Sequence, residues 1–311
     1  MMTLVELLEK RYAPLHNLSD KTQTLYRYSI GRLEDFIAAE EGTRRQAVLS
    51  DLNDITVAQF LRWRAKTPHR GRIPSHGSVL KDRVQLAAMA TYAARKRLIA
   101  EFLELPRMRP VERIPRGYTH ADVEKIVRAA RHRRGNVGPV PSAWFWMTIC
   151  WSAWITAERL TALLSLRWGD VDLTRRTLTF RAEHRKGHTR DIQRCVTQQL
   201  ADALAMTRRA DTELVWPWVQ HREKGSIFES LRILTKTAGV TFRGFHGFRK
   251  SSASYLKAAG GDATDHLDHD RPSTTKRSYL DPDIVQNGPS AADLLPPLDL
   301  RDPPPPENPA A

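Results

Sequence analysis

The segment between residues 106 and 116 limits this chain more than any other. It sets Pro106, Pro110 and Pro115 among Arg107, Arg109, Arg113 and Arg116. A proline has no backbone N–H to give a helix or a ladder, and its ring collides with the preceding turn, so no regular element runs through here. What lies before must fold apart from what lies after. In a chain of 311 residues that leaves two stretches, each long enough to close its own core. The expected organisation is a first domain over residues 1–105, a basic linker over 106–118 and a second domain over 119–287. Residues 288–311 are rich in Pro, Asp and Ala and include Pro303 to Pro306; they can bury little apolar surface and are expected to form a disordered tail.

The first domain reads as helical. Ser19 can cap a helix in which Tyr26, Ile30, Leu33 and Ile37 recur at spacings of four, three and four, one face of a 3.6-residue period. A shorter helix is expected from Thr56 to about Arg64. A third should follow Ser78 and bury Leu80, Val84, Ala87, Thr91, Ala94 and Leu98. Lys81, Arg83, Arg95, Lys96 and Arg97 then fall largely outside that stripe, on a face either simply solvated or turned to DNA.

In the second domain Thr119 suits the cap of a helix through about Ala130. The tryptophan-rich run from Ser142 to Trp154 predicts a buried helix, and another is expected from about Thr156 to Leu166. Thr177 to Arg181 and Asp191 to Val196 pattern as short strands, joined by a turn over His184 to His188 in which Gly187 permits a tight reversal. Helices return near Ile227 to Ala238 and from His246 to about Ala259, where Gly260 and Gly261 end the last. The fold class is therefore mainly α: a helical-bundle N-terminal domain, then a mostly helical domain with a small antiparallel β-sheet.

The balance of 49 Lys and Arg against 35 Asp and Glu gives a formal charge of +14. Such an excess suits a polyanion, because cationic side chains release the counterions condensed on nucleic acid. Two cysteines, Cys150 and Cys195, make no disulfide framework. There is no secretory pattern in residues 1–10 and no apolar run of the ~18 residues that a membrane span needs. These features predict a soluble protein of a reducing interior, with no membrane partner.

Four separated segments offer side chains suited to phosphate chemistry. Arg159 lies among apolar neighbours and must find a partner or a path to solvent. Lys186 falls at the tip of the expected hairpin. His246 and Arg249, three residues apart, share one helical face. His269 precedes Tyr279 by ten residues. Taken singly, each has a bland explanation: a surface arginine, a solubilising lysine, a chance His-x-x-Arg, a packing tyrosine. Taken in order, they do not.

In order and context these residues make the second domain similar to the catalytic domain of the tyrosine recombinase (phage integrase) family. Thr156-Ala157-Glu158-Arg159 resembles the family's Thr-Gly-Leu-Arg turn, and Arg167-Trp168-Gly169-Asp170-Val171-Asp172 its Leu-x-Trp-x-Asp region. Lys186 matches the family's hairpin lysine, Phe245-His246-Gly247-Phe248-Arg249 its His-x-x-Arg, and Leu267-Asp268-His269 its Leu-Gly-His. Thr274 and Thr275 precede Tyr279 as a Thr-Thr pair precedes the family's nucleophile. The first third resembles the helical core-binding domain, so the likeness covers about residues 1–285.

The resemblance implies a site-specific recombinase in which Tyr279 attacks phosphorus and Arg159 and Arg249 hold the non-bridging oxygens. It further implies that Lys186 is the general acid, His246 assists proton transfer and His269 hydrogen-bonds the phosphate. No cofactor and no metal is implied. The implied partners are double-stranded DNA, a homo-tetramer on paired sites and an accessory directionality protein; the implied location is the cytoplasm of a bacterium, at the nucleoid, or of a phage-infected cell. Ala162 stands where family members carry an acid, Asp268 replaces a glycine, and Lys250 replaces a histidine. These departures leave open a DNA-binding protein with a decayed site. A metal module using His246, His266 and His269 is a third expectation, although no cysteine or clear carboxylate set completes it.

Overall fold

The computed structural model describes residues 1–185, 187 and 190–285. Lys186 and the expected tail over 288–311 lie outside the described residues. The chain divides into two compact units, Met1–Glu112 and Arg113–Ala311.

The first unit is wholly helical apart from isolated bridges. Thr3 and Glu6 form a reciprocal cap for α1 (Leu4–Leu7), which passes through a π-helical turn (Leu8–Tyr12) into α2 (Ala13–Leu15). Ser19 caps α3 (Asp20–Glu41) by accepting from Thr22 N. Asn53 and Ser75 likewise cap α4 (Asp54–Lys66) and α5 (His76–Arg95). Tyr26, Ile30, Leu33 and Ile37 are buried as their spacing predicts, in one core with Phe60, Leu86 and Met89.

The expected face of α5 is wrong. Val84 is 53% exposed, and the buried side is Val79, Asp82, Leu86, Met89, Ala90 and Ala93. The cause is Asp82. It is buried because Ser29 Oγ donates to it at 2.5 Å and Arg64 Nε at 3.0 Å. A charged residue thus occupies the inner face, which a stripe drawn through apolar letters cannot include. Arg83 donates to the carbonyls of Leu105 and Pro106 and ties the start of the proline segment to α5.

In the second unit Thr119 and Asp122 form the reciprocal cap of α6 (His120–Ala130). A minimal hairpin, β1 (Asn136–Val137) with β2 (Val140–Pro141), leads into α7 (Ser142–Thr156). Trp146, Ile149, Cys150 and Ala153 bury α7 in the core between α6 and α12. The expected helix over Thr156 to Leu166 does not form. Ala157 turns into the left-handed region at φ 52°, Arg159 is extended, and only α8 (Leu160–Leu163) is helical. Tertiary bonds override propensity here: the Ala157 carbonyl accepts from Arg249, and the Glu158 carboxylate is drawn to Arg185.

The antiparallel sheet has three strands in the order β3 (Val171–Asp172), β4 (Thr177–Phe180), β5 (Ile192–Cys195). Val171 pairs with Leu178 and Phe180 with Ile192. The connection between β4 and β5 is longer than the tight turn expected. It opens with a 3-10 turn over Ala182–His184, and Arg181 bridges to Asp191 at its neck. The unit continues through α9 (Gln198–Ala205), α10 (Trp218–His221) and α11 (Ser226–Thr237). It then runs through α12 (Gly244–Ala258), α13 (Ala263–His266), α14 (Pro272–Ser278) and α15 (Pro282–Val285). Gly260, at φ 84°, follows the end of α12 as its sequence predicts. Among the described residues no helix is long and apolar enough to cross a membrane.

Candidate active site

The site is built on α12. Phe245 and Phe248 anchor this helix in the core, and Tyr118 Oη accepts from Arg243 N at its start. Gly247 allows the closest approach: a Cβ there would lie 2.6 Å from Tyr118 Cε2 and 2.8 Å from Arg243 Cβ. This packing presents His246 and Arg249 to the segments that carry the other site residues.

Arg249 is 1% exposed and joins two of those segments. Its Nη1 donates to the Ala157 carbonyl, and its Nη2 donates to Leu267 O at 2.7 Å and to His269 Nε2 at 3.2 Å. An arginine can only donate, so His269 Nε2 accepts. The proton of His269 therefore sits on Nδ1 and points to Thr275 Oγ1, 2.9 Å away. Arg249 Nε has no hydrogen-bond partner among the described residues. Burial, and then the neighbouring Arg159, push the Arg249 guanidinium down to about 10; it remains charged at neutral pH.

Tyr279 follows the last turn of α14 and is 8% exposed. Its ring centroid lies 4.9 Å from that of His246 and 4.6 Å from that of His269, and 5.3 Å from the Arg249 guanidinium carbon. Ser254 Oγ donates to the Lys250 carbonyl at 2.7 Å, lies 3.3 Å from the Tyr279 carbonyl oxygen and accepts from Asp281 N at 2.8 Å. Asp281 in turn accepts from Gly117 N, so the segment after the tyrosine is pinned. The His246 residue is exposed, yet desolvation of its packed ring, followed by the charges of Lys250, Arg249 and Arg159, pushes its imidazole down to about 4. At neutral pH it is an uncharged base.

Arg159 caps α8 and lines an open cleft of about 250 Å³ with Gly187, His269, Arg271 and Thr274. The structure thus gathers His246, Arg249 and His269 around the Tyr279 ring and places Arg159 within electrostatic range of Arg249 and His246. Lys186 cannot be placed, since it falls outside the described residues.

Several residues around the site carried no sequence signal of their own. Arg185 falls within the expected hairpin turn, yet its side chain is 1% exposed and it pairs with Glu158 and Asp268. Thr275 Oγ1 meets the other ring nitrogen of His269 and holds the ring orientation. Glu158 offered the one usable clue, an acid in an otherwise apolar run. The two positions at which the family motif has glycine, Ala157 and Asp268, keep a left-handed backbone, φ 52° and φ 49°. His266 is engaged elsewhere, with Ser252 Oγ 2.8 Å from its Nε2. Among the described residues no group of three His, Cys, Asp or Glu is placed to hold a metal ion.

No family model and no curated protein matches the sequence. The chain nevertheless has the tyrosine recombinase fold that its motifs imply. The XerH site-specific recombinase, in a post-cleavage complex with palindromic difH substrate, is 16% identical at a TM-score of 0.67, over 91% of this chain and 83% of that one. The Tn1549 transposon integrase in complex with transposon right end DNA is 13% identical at 0.63, over 89% and 95%. The lambda integrase (residues 75–356) bound to DNA is 17% identical at 0.61, over 92% and 96%.

Proposed function

We propose that this protein is a tyrosine-type site-specific DNA recombinase that cuts and rejoins duplex DNA through a 3′-phosphotyrosine bond to Tyr279. The observation that carries the reading is the placement of Tyr279 between His246 and His269 and beside Arg249. The DNA-bound state of the three structural neighbours and the charge of +14 support DNA as substrate. Residues 1–105 would serve as the core-binding domain, 106–118 as the linker and 119–287 as the catalytic domain. The working assembly is a homo-tetramer on two paired sites in the bacterial or phage-infected cytoplasm, with a directionality protein as accessory partner.

In the reaction the Tyr279 hydroxyl oxygen attacks phosphorus and the bond from phosphorus to the 5′ oxygen breaks. Neutral His246 takes up the phenolic proton, and Lys186 supplies a proton to the departing 5′ oxygen. Arg249, through Nε, and Arg159 offset the charge that builds on the non-bridging oxygens. His269, whose orientation Thr275 and Arg249 fix, is the further phosphate contact. The covalent bond stores the energy of the broken linkage, so a 5′ hydroxyl rejoins it without ATP.

The test is a nicked suicide DNA carrying the native flanking sequences, run on denaturing gels with wild type and Tyr279→Phe. A shifted protein–DNA band in wild type alone is expected. A band that persists in Tyr279→Phe assigns the wrong tyrosine. DNA binding without a band in either protein removes the enzymatic reading and leaves a DNA-binding protein.

A further inference from the structure

Glu158, Arg185 and Asp268 form a buried ion cluster that the proposed chemistry does not use. Arg185 Nη2 lies 3.2 Å from Glu158 Oε1, and its Nη1 lies 3.0 Å from Asp268 Oδ2. The side chains of Arg185 and Glu158 are each 1% exposed and that of Asp268 is 11%. Arg194 approaches Glu158 Oε1 at 3.7 Å and donates to the His266 carbonyl. Arg190 closes on Asp268 from outside at 2.9 Å.

Two features separate this cluster from an ordinary stabilising contact. Glu158 and Asp268 each stand one residue before a proposed site residue, Arg159 and His269, and in the sequence Lys186 follows Arg185. Left-handed backbone also occurs in both turns: at Asp268 itself, φ 49°, and at Ala157, the residue before Glu158, φ 52°. Burying charges costs desolvation that an apolar trio would avoid, so stability is a weak reason for the arrangement. What the ions add is placement, since one guanidinium holds two carboxylates from different turns, Glu158 by a hydrogen bond from Nη2 and Asp268 by an ion pair to Nη1 that lacks hydrogen-bond geometry.

We propose that Arg185, by bridging Glu158 and Asp268, is a positioning residue that holds the turns of Arg159 and His269 in register, and so sets how these two side chains meet the non-bridging oxygens of the phosphate. The proposal rests on the recombinase reading. It predicts that the cluster acts on the chemical step and leaves DNA affinity alone.

The experiment is single-turnover cleavage of nicked suicide DNA at saturating protein, with DNA affinity and the unfolding midpoint measured on the same preparations. Glu158→Gln and Asp268→Asn keep shape and remove charge; Arg185→Met removes the bridge, and Arg185→Lys keeps its charge. Cleavage by Arg185→Met should be about 10- to 100-fold slower at unchanged DNA affinity, with Arg185→Lys recovering part of the loss. The same variants are then tried on DNA with a methylphosphonate at the scissile position. That linkage lacks one anionic oxygen and asks less of the cations, so the deficit should shrink. Unchanged rates in the variants overturn the proposal. So does an equal deficit on both linkages, which marks a folding defect. If wild type forms no covalent adduct, the recombinase reading falls first and this proposal with it.

Discussion

Each unit buries an arginine against an aspartate, and the two sites are built differently. In the first unit Arg64 Nε meets Asp82 Oδ2 at 3.0 Å, with both side chains 4% exposed. Both residues belong to long regular helices, α4 and α5, and Ser29 on α3 supplies a further donor. In the second unit Arg185, Glu158 and Asp268 all lie on irregular backbone. There Glu158 Oε2 and Arg185 Nε have no hydrogen-bond partner among the described residues. The first pair ties three helices of a scaffold together. The second joins turns, where no regular backbone fixes the partners and hydrogen-bonding capacity is left unmet.

That contrast can be broken by mutation. The largest effect is expected at Arg249→Ala, which removes the buried guanidinium beside Tyr279 to which the proposed reaction assigns the phosphate charge: cleavage should fall by about 10²- to 10³-fold or more in single-turnover assays. Arg64→Ala in the first unit should leave the cleavage rate per folded molecule unchanged; a matching loss there would erase the distinction between scaffold and site. Next comes stability. Asp82→Ala strands a buried guanidinium and should cost about 3–5 kcal/mol in denaturant unfolding, whereas the double variant Arg64→Met with Asp82→Leu should lie near wild type. If the double variant is as unstable as the single one, the pair carries more than its own charges.

A smaller effect concerns pH. The imidazoles of His246 and His266 are both lowered to about 4, in each case chiefly by burial and then by nearby cations. The unfolded chain binds these protons near 6.5, which the folded unit refuses, so stability is full above that pH and is lost as pH falls towards 4. Denaturant midpoints of the second unit should decline across that window, and His266→Gln should flatten the slope; a flat wild-type profile would contradict the lowered proton affinity of these rings. The smallest effect is expected at Arg83→Ala, which unties the proline segment from α5 and should cost about 1 kcal/mol.

The sequence made some of this legible through geometry that needs no tertiary partner. The α3 stripe and the caps at Ser19 and Thr119 follow from local spacing and local hydrogen bonds, and they stand where expected. The convergence of His246, Arg249, His269 and Tyr279 was legible only through the order of motifs, since no spacing brings residues from different segments together. What failed were positions governed by buried charge. Asp82 rotated the inner face of α5, Glu158 and the Ala157 carbonyl broke the helix expected after α7, and Arg185 points from the expected turn into the interior. β3, at two residues, is too short to carry an alternation.

The close pass at Gly247 gives the molecule a point of no mutational tolerance. Any side chain there must displace the Tyr118 ring or shift α12, and α12 carries His246 and Arg249 on either side of it. A single methyl group would therefore move the His246 ring and the Arg249 guanidinium together, away from a tyrosine fixed by another segment. Random mutagenesis of this chain should find the Gly247 codon silent to improvement, however far the exposed surfaces are allowed to drift.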